Sequence, residues 1–395
     1  MTALEWSPAK LDELGHVGRG RSRHRPRNAA FLYGGPYPFF QTGDIKAADF
    51  YLTEYSQTYS EAGLAQSRLW QPGTLCITIA ANIAESAILA VEGCFPDSVV
   101  GFVADPSKAD VRFIKYYLEI LKLRMQGISH GATQDNLSLD KLLTFDFLVP
   151  PLPIQRRIAG ILSAYDDLIE NCQRRIKILE EMARRLYREW FVHFRFPGHE
   201  DCTFVDSPLG EIPEGWEVGR LDDLLVLQRG FDLPKSARAD GSVPIYAATG
   251  VTGFHDTAKV KPPGVVTGRS GSIGEVIYVQ EDFWPLNTTL WAKEFPKSEP
   301  LYAYCRLSSL DLGKFNSGAA VPTLNRNDIH GLDVLVPPRK LQREFQDTAG
   351  ALLAQARTHD LQIQNLRRTR DLLLPRLLSG QIEVEALPEP ALTEP

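Results

Sequence analysis

Cysteine is scarce in this chain of 395 residues: Cys76, Cys94, Cys172, Cys202 and Cys305 are odd in number, scattered, and never spaced Cys-x-x-Cys. That pattern excludes a disulfide framework and a zinc ribbon. No uninterrupted apolar run reaches the roughly 18 residues that cross a bilayer. Met1 to Leu14 carries Glu5, Lys10, Asp12 and Glu13 in place of an apolar signal core, so a soluble, cytoplasmic protein with no membrane contact is expected. Bulk positive charge is lacking too, since 43 Lys and Arg stand against 49 Asp and Glu for a net −6. Coating nucleic acid by a uniformly basic surface is thereby excluded, and any grip on it must be local. His130, His193, His255 and His330 have no His-x-x-x-His spacing, which argues against a metal site.

What the chain does contain is a repeat, the feature that organises everything else. Gly131, Ala132, Leu137, Asp146, Val149, Pro150, Pro151, Gln155 and Arg156 recur without a gap as Gly318, Ala319, Leu324, Asp333, Val336, Pro337, Pro338, Gln342 and Arg343. Upstream, Trp6, Leu11, Asp12, Leu14 and Gly20 recur as Trp216, Leu221, Asp222, Leu224 and Gly230. Each copy therefore reads as a globular region, a Val-Pro-Pro step and a long helix.

The helices follow from spacing. Ile154, Ile158, Ile161, Tyr165, Leu168, Cys172, Ile176, Leu179, Leu186 and Trp190 alternate threes and fours, which makes one apolar stripe. Leu341, Phe345, Leu352, Ala356, Ile363, Leu366, Leu373 and Leu377 repeat it, with Thr348, His359 and Arg370 on or near the stripe. Two such stripes hide most simply against each other, as a coiled coil of helices about 60 Å long at 1.5 Å per residue. Thr74 to Ile79, Ala87 to Val91, Gly264 to Thr267 and Glu275 to Val279 read as strands, and Val111 to Met125 as a helix. The fold class expected is α+β: two mixed α/β domains, at 1–150 and 198–337, separated by long helices at 151–197 and 338–380. An acidic, proline-bearing tail at 381–395 is expected to be disordered.

Three separated segments then carry a resemblance. Leu179-Glu-Glu-Met-Ala-Arg-Arg-Leu-Tyr-Arg-Glu-Trp-Phe-Val-His-Phe-Arg-Phe-Pro-Gly198, Pro208-Leu-Gly-Glu-Ile-Pro-Glu-Gly-Trp216 and Leu373-Leu-Pro-Arg-Leu-Leu-Ser-Gly-Gln-Ile382 resemble the characteristic segments of type I restriction-modification DNA-specificity subunits. The resemblance implies two target-recognition domains, each reading one half of a split double-stranded DNA site, held apart by two antiparallel helices in a pseudo-twofold arrangement. It implies that those helices dock two methyltransferase subunits, and it leaves open whether restriction motor-nuclease subunits join. For that docking the stripe residues Ile176, Leu179, Leu186, Trp190, Ile363, Leu366 and Leu373 are the candidates. No cofactor is implied. The stretch Gly15 to Gly43, unusually rich in arginine, departs from the family's pattern.

Sequence readers need side chains that reach base edges and cations or amides that hold phosphate. The departing stretch offers Arg19, Arg21, Arg23, Arg25 and Arg27 with His24 and no acidic residue, either a solvated loop or a contact to an anionic partner. In the second copy Thr267-Gly-Arg-Ser-Gly-Ser-Ile-Gly274 corresponds, with one gap, to Cys76-Ile-Thr-Ile-Ala-Ala-Asn-Ile-Ala84. Its glycines would let amides approach phosphate, and Arg269 is suited to guanine, with Ser270, Ser272 and, in the first copy, Asn82 beside it. A plain tight turn explains the same loop. Arg229 and Lys235 complete the set of candidate DNA contacts, Ser236 to Arg238 and Thr249-Gly250 are weaker ones, and Trp70, Phe95, Trp284 and Trp291 read as core. The loops Gly131 to Leu137 and Gly318 to Leu324 suit either reading bases or positioning the following helix.

Chemistry of the chain's own is argued against by absence. The double prolines are Val-Pro-Pro-Leu152 and Val-Pro-Pro-Arg339, not the Asn/Asp-Pro-Pro-Tyr/Phe loop of an amino-methyltransferase. Asp44-Ile-Lys46 has the local shape of a nuclease motif, but its nearest upstream aspartate is Asp12, too far to complete one. A fused methyltransferase or nuclease, and a coiled-coil adaptor that binds only protein, are the rival readings.

Overall fold

In the computed structural model, which describes residues 6–23, 29–130 and 137–384, the runs Leu75–Thr78 and Gly264–Gly268 are central strands. Each is buried along its whole length, as a strand covered on both faces must be. By contact the chain divides into unit 1, Met1–Asn171 with Ile363–Pro395, and unit 2, Cys172–Gln362. In unit 1 the strand order is Gly15–Arg19, Val99–Ala104, Leu75–Thr78, Ser86–Leu89 and, as a parallel edge, Tyr51–Leu52. In unit 2 it is Val226–Arg229, Thr289–Glu294, Gly264–Gly268 and Val276–Val279. Four strands thus recur in the same spatial order, all antiparallel.

Each globular region closes on itself. Ser7–Ala9 pairs antiparallel with Phe147–Val149, and Glu217–Arg220 with Asp333–Val336, so chain entry and exit lie side by side just before the Val-Pro-Pro step. A helix covers each sheet. Val111–His130 places Phe113, Ile114, Leu118, Leu121 and Met125 in the unit 1 core, and Pro300–Ser308, with its proline in the first turn, does the same for Leu301, Tyr302 and Cys305 in unit 2.

The arginine-rich stretch is ordered where it is described. Gly15–Arg19 is a strand, Ala30–Leu32 a turn of 3-10 helix and Tyr33–Phe39 a strand. His24, Arg25 and Arg27, the loop residues Gly131 to Asn136 and the tail from Glu385 fall outside the described residues.

Two helices of 40 residues each, a central one at Leu152–Phe191 and a C-terminal one at Arg339–Leu378, follow the prolines. In unit 2, Cys172 Sγ lies 3.7 Å from Gln362 Oε1, while the rings of Trp190 and Phe345 sit 6.0 Å apart. The two helices therefore run in opposite directions there. In unit 1, Leu377 and Leu378 join Ile154, Ile158 and Leu162 in one core. The stripe needs two corrections. Leu168 is exposed and Ile169 is buried in its place, and Thr348 is exposed beside a buried Ala349. A 3.6-residue helix drifts off a fixed three-and-four spacing, so the buried position slips by one. Arg370, a cation on the stripe, is explained by its partner Asp166, a buried carboxylate on the central helix.

Candidate nucleic-acid interface

The strand that ends in Arg229 is followed at once by Gly230, whose backbone lies so close to the neighbouring chain that a Cβ would come within 2.1 Å of the Leu286 carbonyl. Only glycine fits. Arg19 and Gly20 stand in the same place in unit 1, where a Cβ would meet the Pro96 carbonyl at 2.2 Å. Gly20 N–H donates to Val99 O and Gly230 N–H to Thr289 O. The recurrence of these glycines marks equivalent strand ends, each presenting an exposed arginine.

Beside Arg229 lies the hairpin that joins Gly264–Gly268 to Val276–Val279. Thr267 Oγ1 donates to Glu275 O at 2.7 Å, and in unit 1 Thr78 Oγ1 donates to Glu85 O at 3.3 Å. Strand register, however, makes Thr267 equivalent to Ile77 and Glu275 to Glu85, because Thr267 stands opposite Val276 and Leu290 as Ile77 does opposite Ser86 and Val100, which corrects the alignment of Thr267 with Cys76. Arg269 then stands opposite Ile79. Each takes a bond on its carbonyl from the repeated leucine, Leu324 N to Arg269 O and Leu137 N to Ile79 O. Arg269 is fixed further by its own N–H to Thr288 O, by Gly271 N–H to Pro322 O, and by its Nη1 to Asn287 O at 3.1 Å.

These parts enclose a cleft of about 920 Å³ lined by Arg229, Asp232, Arg269, Ser317, Thr323 and Arg326, among others. Asn316 Oδ1 accepts from Gly318 N and Thr323 N, folding the repeated loop against the cleft. Asp232 pairs with Arg229 at 3.3 Å and accepts from Asn287 Nδ2, so the site mixes three cations with one carboxylate. Such a set can hold phosphate and offer both donors and an acceptor to base edges. Ser270 bridges to Thr323, Ser272 is exposed at the hairpin tip, and Lys235 is exposed on a short 3-10 turn outside the cleft lining.

Unit 1 arranges its candidates differently. Arg19 Nε donates to Asp97 O at 3.1 Å, Arg21 and Arg23 are exposed, and Asn82 accepts from Lys46 Nζ at 3.3 Å. Arg68, not singled out from the sequence, stacks 3.9 Å over buried Trp70 and lies 3.4 Å from His16. Its signal was the Arg-x-Trp spacing on extended chain, which puts both side chains on one face. Arg326 was missed as well, because its repeat counterpart is Leu139 and nothing local distinguishes it.

Arg326 and His330 share the short helix Arg326–His330, and both grip Leu227. Arg326 Nη1 donates to Leu227 O, while His330 Nε2 accepts from Leu227 N at 3.1 Å. Burial holds the His330 imidazole below its ordinary value of 6.5, and the accepted bond needs the neutral ring. The unfolded chain therefore takes up this proton first as pH falls. The contribution is whole above about pH 6.5 and is lost as pH drops toward the folded value. Urea midpoints are expected to fall between pH 7.5 and 5.5 more steeply for the wild-type chain than for His330→Asn; equal slopes would disprove the role.

Of the proposed docking stripe, Trp190 and Ile363 are buried, and Leu186 and Leu373 pack against the cores of unit 2 and unit 1. Ile176, Leu179 and Leu366 are half-buried. Among the described residues no helix is long and apolar enough to cross a membrane.

Comparison with known proteins converges on one group. The model of the type I restriction modification DNA specificity domain matches residues 4–181 and 213–363. A type I restriction enzyme specificity subunit of Methanocaldococcus jannaschii, MjaIX, is 26% identical over 97% of this chain and 95% of its own. A second from that organism, MjaVIII, is 37% identical over 36% of this chain and 33% of its own. In fold, the chain is similar to the crystal structure of the type I restriction-modification S subunit from M. genitalium, with a TM-score of 0.64, 18% identity and coverage of 95% and 97%. With both repeats matched, the chain belongs to the type I restriction-modification DNA-specificity family.

Proposed function

We propose that the chain is a non-catalytic reader of an asymmetric, bipartite double-stranded DNA site, one half engaged by each globular region. The observation that carries this is the pair of equivalent strand ends, Arg19-Gly20 and Arg229-Gly230, each beside a hairpin held by a threonine. Equivalent scaffolds with different side chains, Arg269 against Ile79, support two unlike half-sites. The DNA contacts proposed are Arg19, Arg21, Arg23, Arg229, Arg269 and Ser270, with Arg326 and Arg68 added. Arg25 and Arg27 remain part of the proposal from sequence.

In this reading the globular regions are 1–150 and 198–337, and the helices at 151–197 and 338–380 form an antiparallel coiled coil with pseudo-twofold character. That coil acts as a ruler and docks two methyltransferase subunits in the cytoplasm, with room for motor-nuclease subunits in the same complex. Because Trp190 and Ile363 are buried in this chain, docking falls to the helix faces around Ile176, Leu179 and Leu366. Opposite helix directions in unit 2 support the pairing.

The ruler is tested by inserting one heptad in each helix. Seven residues add about 10 Å at 1.5 Å per residue, or about three base pairs at 3.4 Å each. Sequencing modified bases in a host that expresses the chain with its methyltransferase is expected to show both half-sites unchanged and the spacer about three base pairs longer. An unchanged spacer would sink the ruler.

A further inference from the structure

We propose that Gln155 and Gln342 are positioning residues that set the angle between each recognition region and its helix, and thereby the spacer length that is accepted; this rests on the ruler reading above. Both side chains are completely buried, at 1% and 0% exposure, in the first turn of their helices. Gln155 Oε1 accepts from Asp110 N at 3.0 Å, and its Nε2 donates to Lys108 O and Pro150 O, both at 2.9 Å. Gln342 repeats the geometry, accepting from Glu299 N at 2.8 Å and donating to Lys297 O at 3.2 Å and Pro337 O at 2.7 Å. Asp110 and Glu299 each immediately precede the helix that covers the sheet. One planar amide thus ties three points: the start of the sheet-covering helix, the strand exit at the Val-Pro-Pro step, and the long helix.

Packing alone does not require an amide here. A methionine would fill the space without the cost of desolvating a polar group. What a fully bonded, buried amide adds is direction, since its donors and acceptor are satisfied at one relative orientation only. All its partners are backbone atoms, so the joint is indifferent to which side chains the globular region carries. That explains why the glutamine recurs while the recognition surfaces around it differ.

The two joints are not equally braced. At the second, Arg339 donates to Phe295 O, Pro296 O and Ser298 O and pairs with Glu299 at 3.1 Å, while Gln346 Oε1 accepts from Leu301 N. Leu152 and Ala159 occupy those places in the first, where Arg156 Nη2 donates to Pro106 O at 3.4 Å near the joint and the Tyr116–Asp166 bond braces the helix only about three turns further along. Gln155 should matter more than Gln342.

The test uses the purified complex with its methyltransferase, on duplexes that carry the motif found by sequencing modified bases and spacers one base pair short, correct and one long. Gln155→Met is expected to reduce preference for the correct spacer about tenfold while leaving preference for each correct base within either half-site unchanged. Gln342→Met should reduce it less than threefold, and Arg339→Met with Gln342→Met about tenfold. Spacer and base preference falling together would overturn the proposal in favour of simple destabilisation, as would unaltered spacer preference in Gln155→Met. Circular dichroism checks folding, and if Gln155→Met fails to fold the two unit 2 variants decide alone by the same criteria. A wild-type complex indifferent to spacer length overturns the ruler itself, and with it this proposal; it is told apart because no variant is needed to see it.

Discussion

Replacing Asp166 with alanine is expected to destabilise unit 1 by about 3 kcal/mol. Asp166 is 9% exposed and accepts from both the Tyr116 hydroxyl and Arg370 Nη1, tying the helix Val111–His130, the central helix and the C-terminal helix together. Burial, followed by the charge of Asp166, pushes the Tyr116 phenol far above its ordinary range, so it stays a donor. Burial also opposes the charge on Arg370, yet Asp166 more than restores it, and the guanidinium ends above its ordinary value. Breaking a buried pair by removing one partner costs about 3–5 kcal/mol. The lower end applies because Arg370 keeps a 3.0 Å bond to Asp371 and is itself about a quarter exposed. Hydrogen exchange on the full chain reads this loss in residues of unit 1. Asp166→Leu with Arg370→Met should recover most of it, since a well-packed apolar pair replaces a buried ion pair at little cost. If the single variant leaves exchange unchanged, the pair contributes nothing to unit 1.

The largest functional effect is expected at Arg269. In the methyltransferase complex, Arg269→Ala should lose about 1–3 kcal/mol of discrimination at a single base position, the usual contribution of a bidentate arginine–guanine contact. That is roughly five- to more than a hundredfold. The side chain is held in advance by Asn287 O and by the backbone bonds of its hairpin, so little freedom is lost on binding. Selection from randomised duplexes distinguishes the alternatives. A base contact relaxes one position of one half-site, whereas a phosphate contact weakens all sequences alike and lowers the salt dependence. The latter result would remove Arg269 from base reading. The other half-site should be untouched, because Ile79 at the equivalent place has no donor to offer.

Much of the architecture was legible before any coordinates. The repeat from Trp6 to Trp216 and from Gln155 to Gln342 announced two copies of one unit, and the three-and-four spacing announced two helices close to 40 residues long. Strands at Leu75–Thr78 and Gly264–Gly268 showed as short apolar runs between turn residues. These are local signals, carried by residues within a few positions of one another or by self-similarity, and a sequence states both directly.

What only the tertiary structure decided is which distant residues meet. Arg370 reads as a blemish on an apolar stripe until Asp166 is placed against it. Arg229, Arg269 and Arg326 lie far apart along the chain and share one cleft, whereas Lys235, six residues from Arg229, does not line it. The repeat already aligns Arg19 with Arg229, but that each ends a strand at the edge of its sheet appeared only with the strand order. The two buried glutamines were mere repeat markers until their backbone partners appeared. The physical reason is common to all of these: a hydrogen bond or ion pair needs two groups within about 3 Å, and that proximity is set by how strands and helices pack, not by spacing along the chain.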